Sequence, residues 1–165
     1  MRWYVGGDHG AVELRRVLVE RLRQRGDEVA GELGPASPSD SVDYPHIAVA
    51  VCRQLLADPG SLGILVCGTG QGVAMAANRV HGIRAAVVSD TFSARQAREH
   101  NDANVLCMGG RVVGPGLAGD LLEAFARASF EGGRHQRRID AIEAIAPGGP
   151  TSGPALAPPT EQDRS

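Results

Sequence analysis

A seven-residue apolar run near the middle of the chain, LGILVCG at residues 62–68, most constrains what the chain can fold into. A strand with one face in water alternates polar and apolar residues, whereas a continuous apolar run predicts a strand that is buried on both faces. Such strands occur in parallel sheets that carry helices on both sides. The chain therefore needs helical segments before and after this strand.

Strand and helix patterns do alternate along the sequence. The other predicted strands are RWYVGG, EVAGEL, IRAAVVS and ANVLCMGG, and IRAAVVS is also expected to be buried. Segments with helical periodicity or capping residues separate them, at residues 11–26, 44–57, 71–80, 89–101, 115–130 and 134–146. This order predicts an α/β protein, a three-layer αβα sandwich on a Rossmann-like five-stranded parallel sheet. Asp43 is expected to cap the second helix, and Ile139, Ile142 and Ala146 are expected to face inward from the last one.

Composition divides the chain into two parts. Residues 1–146 are predicted to form one domain, and residues 147–165 a disordered tail, because those 19 positions hold five prolines and three glycines. The net charge of −2 gives no general attraction to nucleic acid or to an anionic membrane. No segment approaches about 18 consecutive apolar residues, and the N-terminus does not resemble a signal peptide. Three widely spaced cysteines fit a reducing compartment, so a cytoplasmic protein is expected.

Ligands bind to open parallel sheets outside the carboxyl ends of the strands. That edge is expected to hold Asp8, His9, residues 67–72, Ser89 and residues 109–111. Its most informative segment is CGTGQG at residues 67–72, where three glycines follow the buried strand and open a helix. Glycines there let a ligand approach the backbone and expose N–H groups to an anion. Alternatively, they only allow the strand and the helix to pack closely.

A nucleotide site is a weaker alternative for this loop. The dinucleotide fingerprint GxGxxG is not met, because its last glycine would fall at Val73 or Met75. The phosphate-binding pattern GxxxxGK[ST] is absent. Asp90, at the end of the next strand, is nevertheless where a ribose-binding carboxylate would lie.

Cys67 differs from the other two cysteines in its position. Cys52 and Cys107 are expected to be small apolar core residues. Cys67 ends a strand at the start of a helix, which favours the thiolate, so it can act as a nucleophile or as a base. A redox-sensing role is disfavoured because no resolving cysteine is evident.

The remaining candidates each have a structural alternative. His9 follows the first strand and can be an ordinary loop histidine. Arg134 and Arg138 lie four apart on one helix face, which is either a solvated basic surface or a pair of guanidinium groups for one phosphate. The five histidines are scattered along the sequence, so no metal site is expected.

These segments together resemble the type B ribose-5-phosphate isomerase family, which also contains subunits of galactose-6-phosphate isomerase. The resemblance covers about residues 3–146 and rests on GGDHG, DYPHIA, CGTGQG, AAN, GIRAA, REHNDANVL, GGR and GGRHQRRI in this order. It implies interconversion of an aldose phosphate with its ketose, with no cofactor and no metal. One branch of the family uses a glutamate six residues after the cysteine position. Because Val73 stands there, the chain resembles the cysteine branch.

The resemblance also implies a role for each candidate residue. Cys67 is the base that moves a proton between C1 and C2, and His100 opens the sugar ring with help from Asp8 or Thr69. The implied substrate-binding residues are His9, Tyr44, Gly68, Gly70, Gln71, Gly72, Asn101, Arg111, Arg134 and Arg138, of which His9, Arg134 and Arg138 take the phosphate. Ribose 5-phosphate is the expected substrate. Hexose 6-phosphates of the allose or galactose type, free sugars, and a non-catalytic phosphate- or nucleotide-binding module are the alternatives.

The topology of a parallel sheet makes a further prediction about assembly. Cys67 ends the third strand at the carboxyl edge, whereas His100 and Asn101 precede the fifth strand at the amino edge. A strand of five residues spans about 17 Å, so one chain cannot bring these residues together. A two-fold homodimer, or a homotetramer made of two such dimers, would build each site from two chains.

Overall fold

The computed structural model describes residues 1–144 as an α/β unit. Its strands are β1 (Arg2–Gly7), β2 (Glu28–Leu33), β3 (Leu62–Cys67), β4 (Ala85–Val87) and β5 (Val105–Gly109). Its helices are α1 (Val12–Gln24), α2 (Tyr44–Leu56), α3 (Gln71–Ala77), α4 (Thr91–Glu99), α5 (Pro115–Arg127) and α6 (Arg134–Glu143). A single 3-10 turn, His9–Ala11, precedes α1.

The five strands form one parallel sheet in the order β2-β1-β3-β5-β4. The chain leaves β1 toward one side of the sheet and leaves β3 toward the other, so the connections diverge between these two neighbouring strands. Divergent connections open a crevice at the carboxyl ends of the two strands. The predicted fold class is therefore confirmed, and the crevice lies between the residues that follow β1 and β3.

Two apolar cores cover the two faces of the sheet. Buried residues of α1, α4 and α5, including Leu18 and Phe125, form one core with Trp3 and Ile64. Buried residues of α2 and α3 form the other core with Leu65. All six residues of β3 are buried, as the apolar run predicts.

The prediction that IRAAVVS forms a buried strand is wrong in part. Only Ala85–Val87 are strand residues, and all three are half-buried. The reason is position, because β4 is the last strand in the sheet and pairs with β5 alone. An edge strand has one unpaired side, which a sequence pattern does not reveal.

Two predictions about helices also need correction. Asp43 lies at the N-cap of α2, but its side chain makes no capping hydrogen bond. On α6, Ile139 is buried, whereas Ile142 is 49% exposed. The inward face of α6 instead contains His135, Ile139 and Glu143, whose carboxylate accepts a 2.7 Å hydrogen bond from Arg84. Ala146 and the predicted tail at 147–165 lie outside the described residues, and none of the helices described is long and apolar enough to span a membrane.

Candidate active site

Three loops meet at the carboxyl edge of the sheet, where the connections diverge. The Asp8 N–H donates to Val66 (3.2 Å), the Gly110 N–H to Cys67 (2.8 Å) and the Arg111 N–H to Gly68 (3.0 Å), in each case to a backbone oxygen. These bonds tie together the ends of β1, β3 and β5. The predicted carboxyl-edge residues at the ends of β1, β3 and β5 are therefore brought together within one chain, whereas Ser89 follows the edge strand β4, beyond β5.

The Cys67 thiol lies at the base of this cleft and is 5% exposed. Its sulfur accepts a 3.1 Å hydrogen bond from the backbone N–H of Gly70. Gly70 has a φ of +80°, and a β-carbon there would lie 2.9 Å from the Met108 carbonyl carbon. Only glycine therefore lets the loop fold back so that an amide meets the sulfur.

The other two cysteines have the role that the sequence predicts. Cys52 and Cys107 are fully buried in the same core cluster as Cys67. Burial raises the pKa of the Cys52 thiol to about 11, and burial raises the pKa of Cys107 well above its ordinary value. Both thiols are therefore protonated at neutral pH, and they remain packing residues.

Polar groups border the cleft around the cysteine. Thr69 is exposed, and its Oγ1 accepts a 3.4 Å hydrogen bond from the Gln71 N–H. The Arg111 side chain passes over Gly68, with its Nε 3.6 Å from the position of a β-carbon on that glycine. A β-carbon on Gly72 would lie 2.6 Å from the Tyr44 ring, so this ring packs against the loop.

Asp8 and His9 form the opposite wall. The buried Asp8 carboxylate accepts a 2.8 Å hydrogen bond from the Gly10 N–H. Nδ1 of His9 accepts a 3.4 Å hydrogen bond from the Val42 N–H, so this nitrogen carries no proton in that contact. Nε2 is then the nitrogen that can donate to a ligand.

A buried arginine that sequence analysis did not single out supports this wall. The Arg15 guanidinium donates to the backbone oxygens of Gly7 (3.4 Å) and Pro35 (2.7 Å), and its Nε donates to Glu32 (3.1 Å). It thereby fixes the end of β1 and the start of the loop that leads to Val42. Its partners are as many as 20 residues away, so no local pattern indicates the role.

A second group of predicted site residues lies elsewhere. His100 ends α4, and Asn101 follows it in the turn before β5. The backbone oxygen of Asn104, in that turn, accepts a 2.8 Å hydrogen bond from Gly63 at the start of β3, whereas Cys67 ends β3. Gly63 and Cys67 are four residues apart along β3, and both pair with β5. Four residues of a strand span about 13 Å. One chain therefore does not bring His100 and Asn101 to Cys67.

The predicted phosphate-binding arginines accompany His100. The His100 ring stacks on the ring of His135, with centroids 4.1 Å apart and planes at 11°. His135 follows Arg134 in the first turn of α6, and Arg134 and Arg138 are both exposed on that helix. The site residues therefore fall into a cysteine group at the carboxyl edge and a histidine–arginine group at the other end of the sheet.

Arg84, a residue that sequence analysis did not assign to the site, holds the second group. Its Nε donates to the backbone oxygens of Asn101 (3.1 Å) and Asp102 (3.0 Å). Its two terminal nitrogens form 2.7 Å ion pairs with Asp102 and with Glu143 of α6. Asp102 is the one non-glycine residue with a positive φ (+43°) among residues 1–144. The turn after His100 is thus anchored from two sides.

One triad contradicts the expectation that the histidines are scattered. His100, Glu131 and His135 have ligand atoms within 4.8 Å of one another. A metal bound to an imidazole lies near the plane of the ring, and two parallel rings 4.1 Å apart have no such point in common. Chelation would require one ring to turn, so the arrangement fits stacking better than metal binding.

Comparison with known proteins identifies a single family. The family model described as ribose/galactose isomerase matches residues 4–142. The ribose-5-phosphate isomerase B of Escherichia coli is 46% identical over 140 residues, which cover 85% of this chain and 93% of that protein.

Solved structures agree with the sequence match. The ribose-5-phosphate isomerase B of Clostridium thermocellum superposes with a TM-score of 0.84 at 43% identity, over 88% of this chain and 97% of the other. The enzyme of Mycoplasma genitalium, solved with bound ribulose 5-phosphate, has a TM-score of 0.81 at 40% identity, over 86% and 93% of the two chains.

Proposed function

The chain belongs to the ribose/galactose isomerase family and is an isomerase; from that premise we propose that it interconverts ribose 5-phosphate and ribulose 5-phosphate, with Cys67 as the general base. The observation that carries the proposal is the hydrogen bond of 3.1 Å from the Gly70 N–H to the Cys67 sulfur. That hydrogen bond fixes the sulfur beside the loop amides, so the group that takes the proton and the donors that can meet the substrate oxygen lie together.

The chemistry requires more than a base. Removing the C2 proton of the open-chain aldose leaves an enediolate, and the same group then returns the proton to C1. The charge on the substrate oxygen needs donors that are already oriented. The amides of residues 68–72 and the exposed Thr69 hydroxyl border the sulfur and can meet that oxygen. Arg111, which passes over Gly68, and Asp8, on the opposite wall of the cleft, are proposed to hold the remaining hydroxyl groups.

Ring opening and phosphate binding are assigned to the second group. We propose that His100 opens the furanose ring, that Asn101 holds a hydroxyl group, and that Arg134 and Arg138 bind the phosphate. Because these residues lie about one strand length from Cys67 in their own chain, they reach the substrate from a second subunit. His9, on the cysteine side, would meet the same phosphate from the first subunit.

The exposed apolar residues support a two-chain site. Four of the eight large apolar side chains exposed among residues 1–144 lie in segments or first helical turns that follow the carboxyl ends of strands: Tyr44, Phe92, Val112 and Leu117. Large apolar groups gathered on one side of a protein mark an interaction surface. A self-complementary two-fold interface builds two equal sites if it covers part of this surface and also sets the His100 group of each chain against the Cys67 group of the other.

Turnover measurements separate the candidate substrates and the non-catalytic alternative. We expect turnover of ribose 5-phosphate to exceed that of allose 6-phosphate, galactose 6-phosphate and free ribose, because the phosphate and the five-carbon chain are both recognised. Thermal stabilisation by pentose phosphates but not by ATP or NAD would agree. Stabilisation by a nucleotide without turnover of any sugar phosphate would overturn the proposal in favour of a binding module.

The shared site is tested by mixing two inactive variants, Cys67→Ala and His100→Ala. In a mixed dimer one of the two sites keeps both residues. At statistical exchange of equal amounts about half of the dimers are mixed, so activity should return to about a quarter of the wild-type value. Subunit exchange is followed independently with two affinity tags. Exchange without activity, or an active species that sediments as a monomer, would refute the two-chain site.

A further inference from the structure

The Glu131 carboxylate lies beside the stacked rings of His100 and His135. Its Oε2 lies 3.7 Å from Nε2 of His100 and 3.8 Å from Nε2 of His135. The three side chains come from the end of α4, the segment before α6 and the first turn of α6. One carboxylate therefore faces the same nitrogen on both rings.

The backbone is built to hold this carboxylate in place. The Glu131 N–H donates 3.0 Å to the backbone oxygen of Glu99, the residue before His100. Gly132 and Gly133 follow with φ values of +65° and +57°, two successive conformations that favour glycine. The His135 N–H then bonds to the Gly132 oxygen at 3.1 Å, which starts α6. These turns bring Glu131 and His135, which are four residues apart, into contact with the ring of His100.

We propose that Glu131 is a positioning residue for His100: its carboxylate selects the His100 tautomer with the proton on Nε2, leaving Nδ1 free to accept the proton of the anomeric hydroxyl. This inference rests on the proposed function, in which His100 opens the ring. At 3.7 Å the contact is electrostatic rather than a direct hydrogen bond. A carboxylate at this distance favours the tautomer whose N–H faces it and stabilises the ring after it gains a proton.

In the ring-opening step, His100 and the substrate account for every bond and proton that changes. Nδ1 of His100 takes the proton from the hydroxyl on C1, the C1–O1 bond becomes a carbonyl, and the bond from C1 to the ring oxygen breaks. Its electron pair stays on the ring oxygen, which then receives the proton back from the His100 imidazolium. No net charge or proton is gained. Glu131 orients the neutral ring before the step, and while the imidazolium exists its negative charge also offsets the positive ring.

His135 supports the arrangement without competing for the proton. Its side chain is buried, and burial, followed by the nearby charges of His100 and Arg134, lowers the pKa of His135 below its ordinary value. It is therefore neutral at neutral pH, and the stack does not hold two positive rings. The parallel contact fixes the plane of His100 by packing.

The test is substitution of Glu131, which is 55% exposed and can be replaced without opening the core. Glu131→Ala removes the acceptor, and Glu131→Gln keeps an oxygen but removes the charge. The matched control is Glu123→Ala, which removes another ion-paired glutamate, bound to Arg25 at the C-terminal end of α1 and to Arg127 at the C-terminal end of α5. The measurements are kcat/KM for ribose 5-phosphate and ¹⁵N NMR of histidine-labelled protein, which distinguishes the Nε2–H and Nδ1–H tautomers.

We expect Glu131→Ala to lower kcat/KM by about 10- to 100-fold, as loss of a partner that orients a functional histidine does. The His100 signals should shift toward the other tautomer, Glu131→Gln should fall between Glu131→Ala and the wild type, and Glu123→Ala should match the wild type. An unchanged His100 tautomer, full activity of Glu131→Ala, or an equal loss in Glu123→Ala would overturn the inference. If wild-type protein does not isomerise ribose 5-phosphate, or if His100→Ala is fully active, the proposed function fails instead.

Discussion

Replacing Gly70 with alanine tests whether the loop around Cys67 is held rigidly. Gly70 has a φ of +80°, and a β-carbon there would contact three backbone atoms of Met108 and Gly109 at 2.9–3.2 Å. Left-handed backbone costs an alanine about 1–2 kcal/mol. Packing a methyl group against backbone that cannot move away adds about 1–3 kcal/mol. The free energy of unfolding should therefore fall by about 2–5 kcal/mol, which for a domain of this size is a fall in Tm of roughly 6–15 °C.

Gly26 offers a matched control. Its φ is +78°, nearly the same as that of Gly70, but a β-carbon there would meet nothing within 4 Å. The free energy of unfolding of Gly26→Ala should thus fall only by the cost of the left-handed backbone, about 1–2 kcal/mol. The difference between the two variants in thermal unfolding isolates the steric contact of the loop with β5.

The activity of the same variants tests the role of the Gly70 amide. Alanine at this position pushes the loop away from β5 and moves the N–H that lies 3.1 Å from the Cys67 sulfur. Losing a hydrogen bond to a charged group costs about 1.5–3 kcal/mol, which corresponds to roughly a 10- to 150-fold fall in kcat/KM. Gly26→Ala should keep wild-type kinetics. Equal Tm values for the two alanine variants, or full activity of Gly70→Ala, would refute the reasoning.

Three further predictions follow from the contacts of single residues. Cys67→Ala should remain folded but lose about 10²–10⁴-fold in kcat, the usual cost of removing a general base; turnover assays check this, and near-normal turnover would exclude the cysteine as the base. Arg138→Ala should raise KM for a sugar phosphate by about 10- to 150-fold, from a loss of about 1.5–3 kcal/mol, without a matching effect on the free sugar; equal effects on the two would show that the arginine does not touch the phosphate. The Ser93 N–H, 2.7 Å from Asp90, holds the pKa of the Asp90 carboxyl below its ordinary value. The unfolded chain then binds a proton that the folded chain does not, so this stabilisation is complete above about pH 4 and is lost as the pH falls through the lower, folded pKa. Acid unfolding of Asp90→Asn should lack this component, and superimposable curves for variant and wild type would contradict it.

Much of the fold follows from local patterns in the sequence. The apolar run at 62–68 predicts a strand buried on both faces because no polar residue interrupts it, and all six residues of β3 are buried. Alternation with helices then predicts the parallel sheet, and parallel topology predicts that Cys67 and His100 lie at opposite ends of it. The same reasoning fails for β4 and for Ile142, since a pattern does not reveal which strand is last in the sheet or which neighbour a helix meets.

The groups that support the candidate site were decided by the tertiary structure alone. Arg15 reaches Pro35, Arg84 reaches Glu143, and His100 stacks on His135, across 20, 59 and 35 residues of sequence. Periodicity describes which face of an element is apolar, because residues spaced by the repeat of a helix or a strand lie on the same face of it. A hydrogen bond or a ring stack depends instead on where two elements meet, and that position is set by the packing of the whole domain. The sequence alone therefore determined the sheet, its carboxyl-edge loop and the place of Cys67, whereas only the folded chain determined which side chains hold His9, Asn101 and His100 in position.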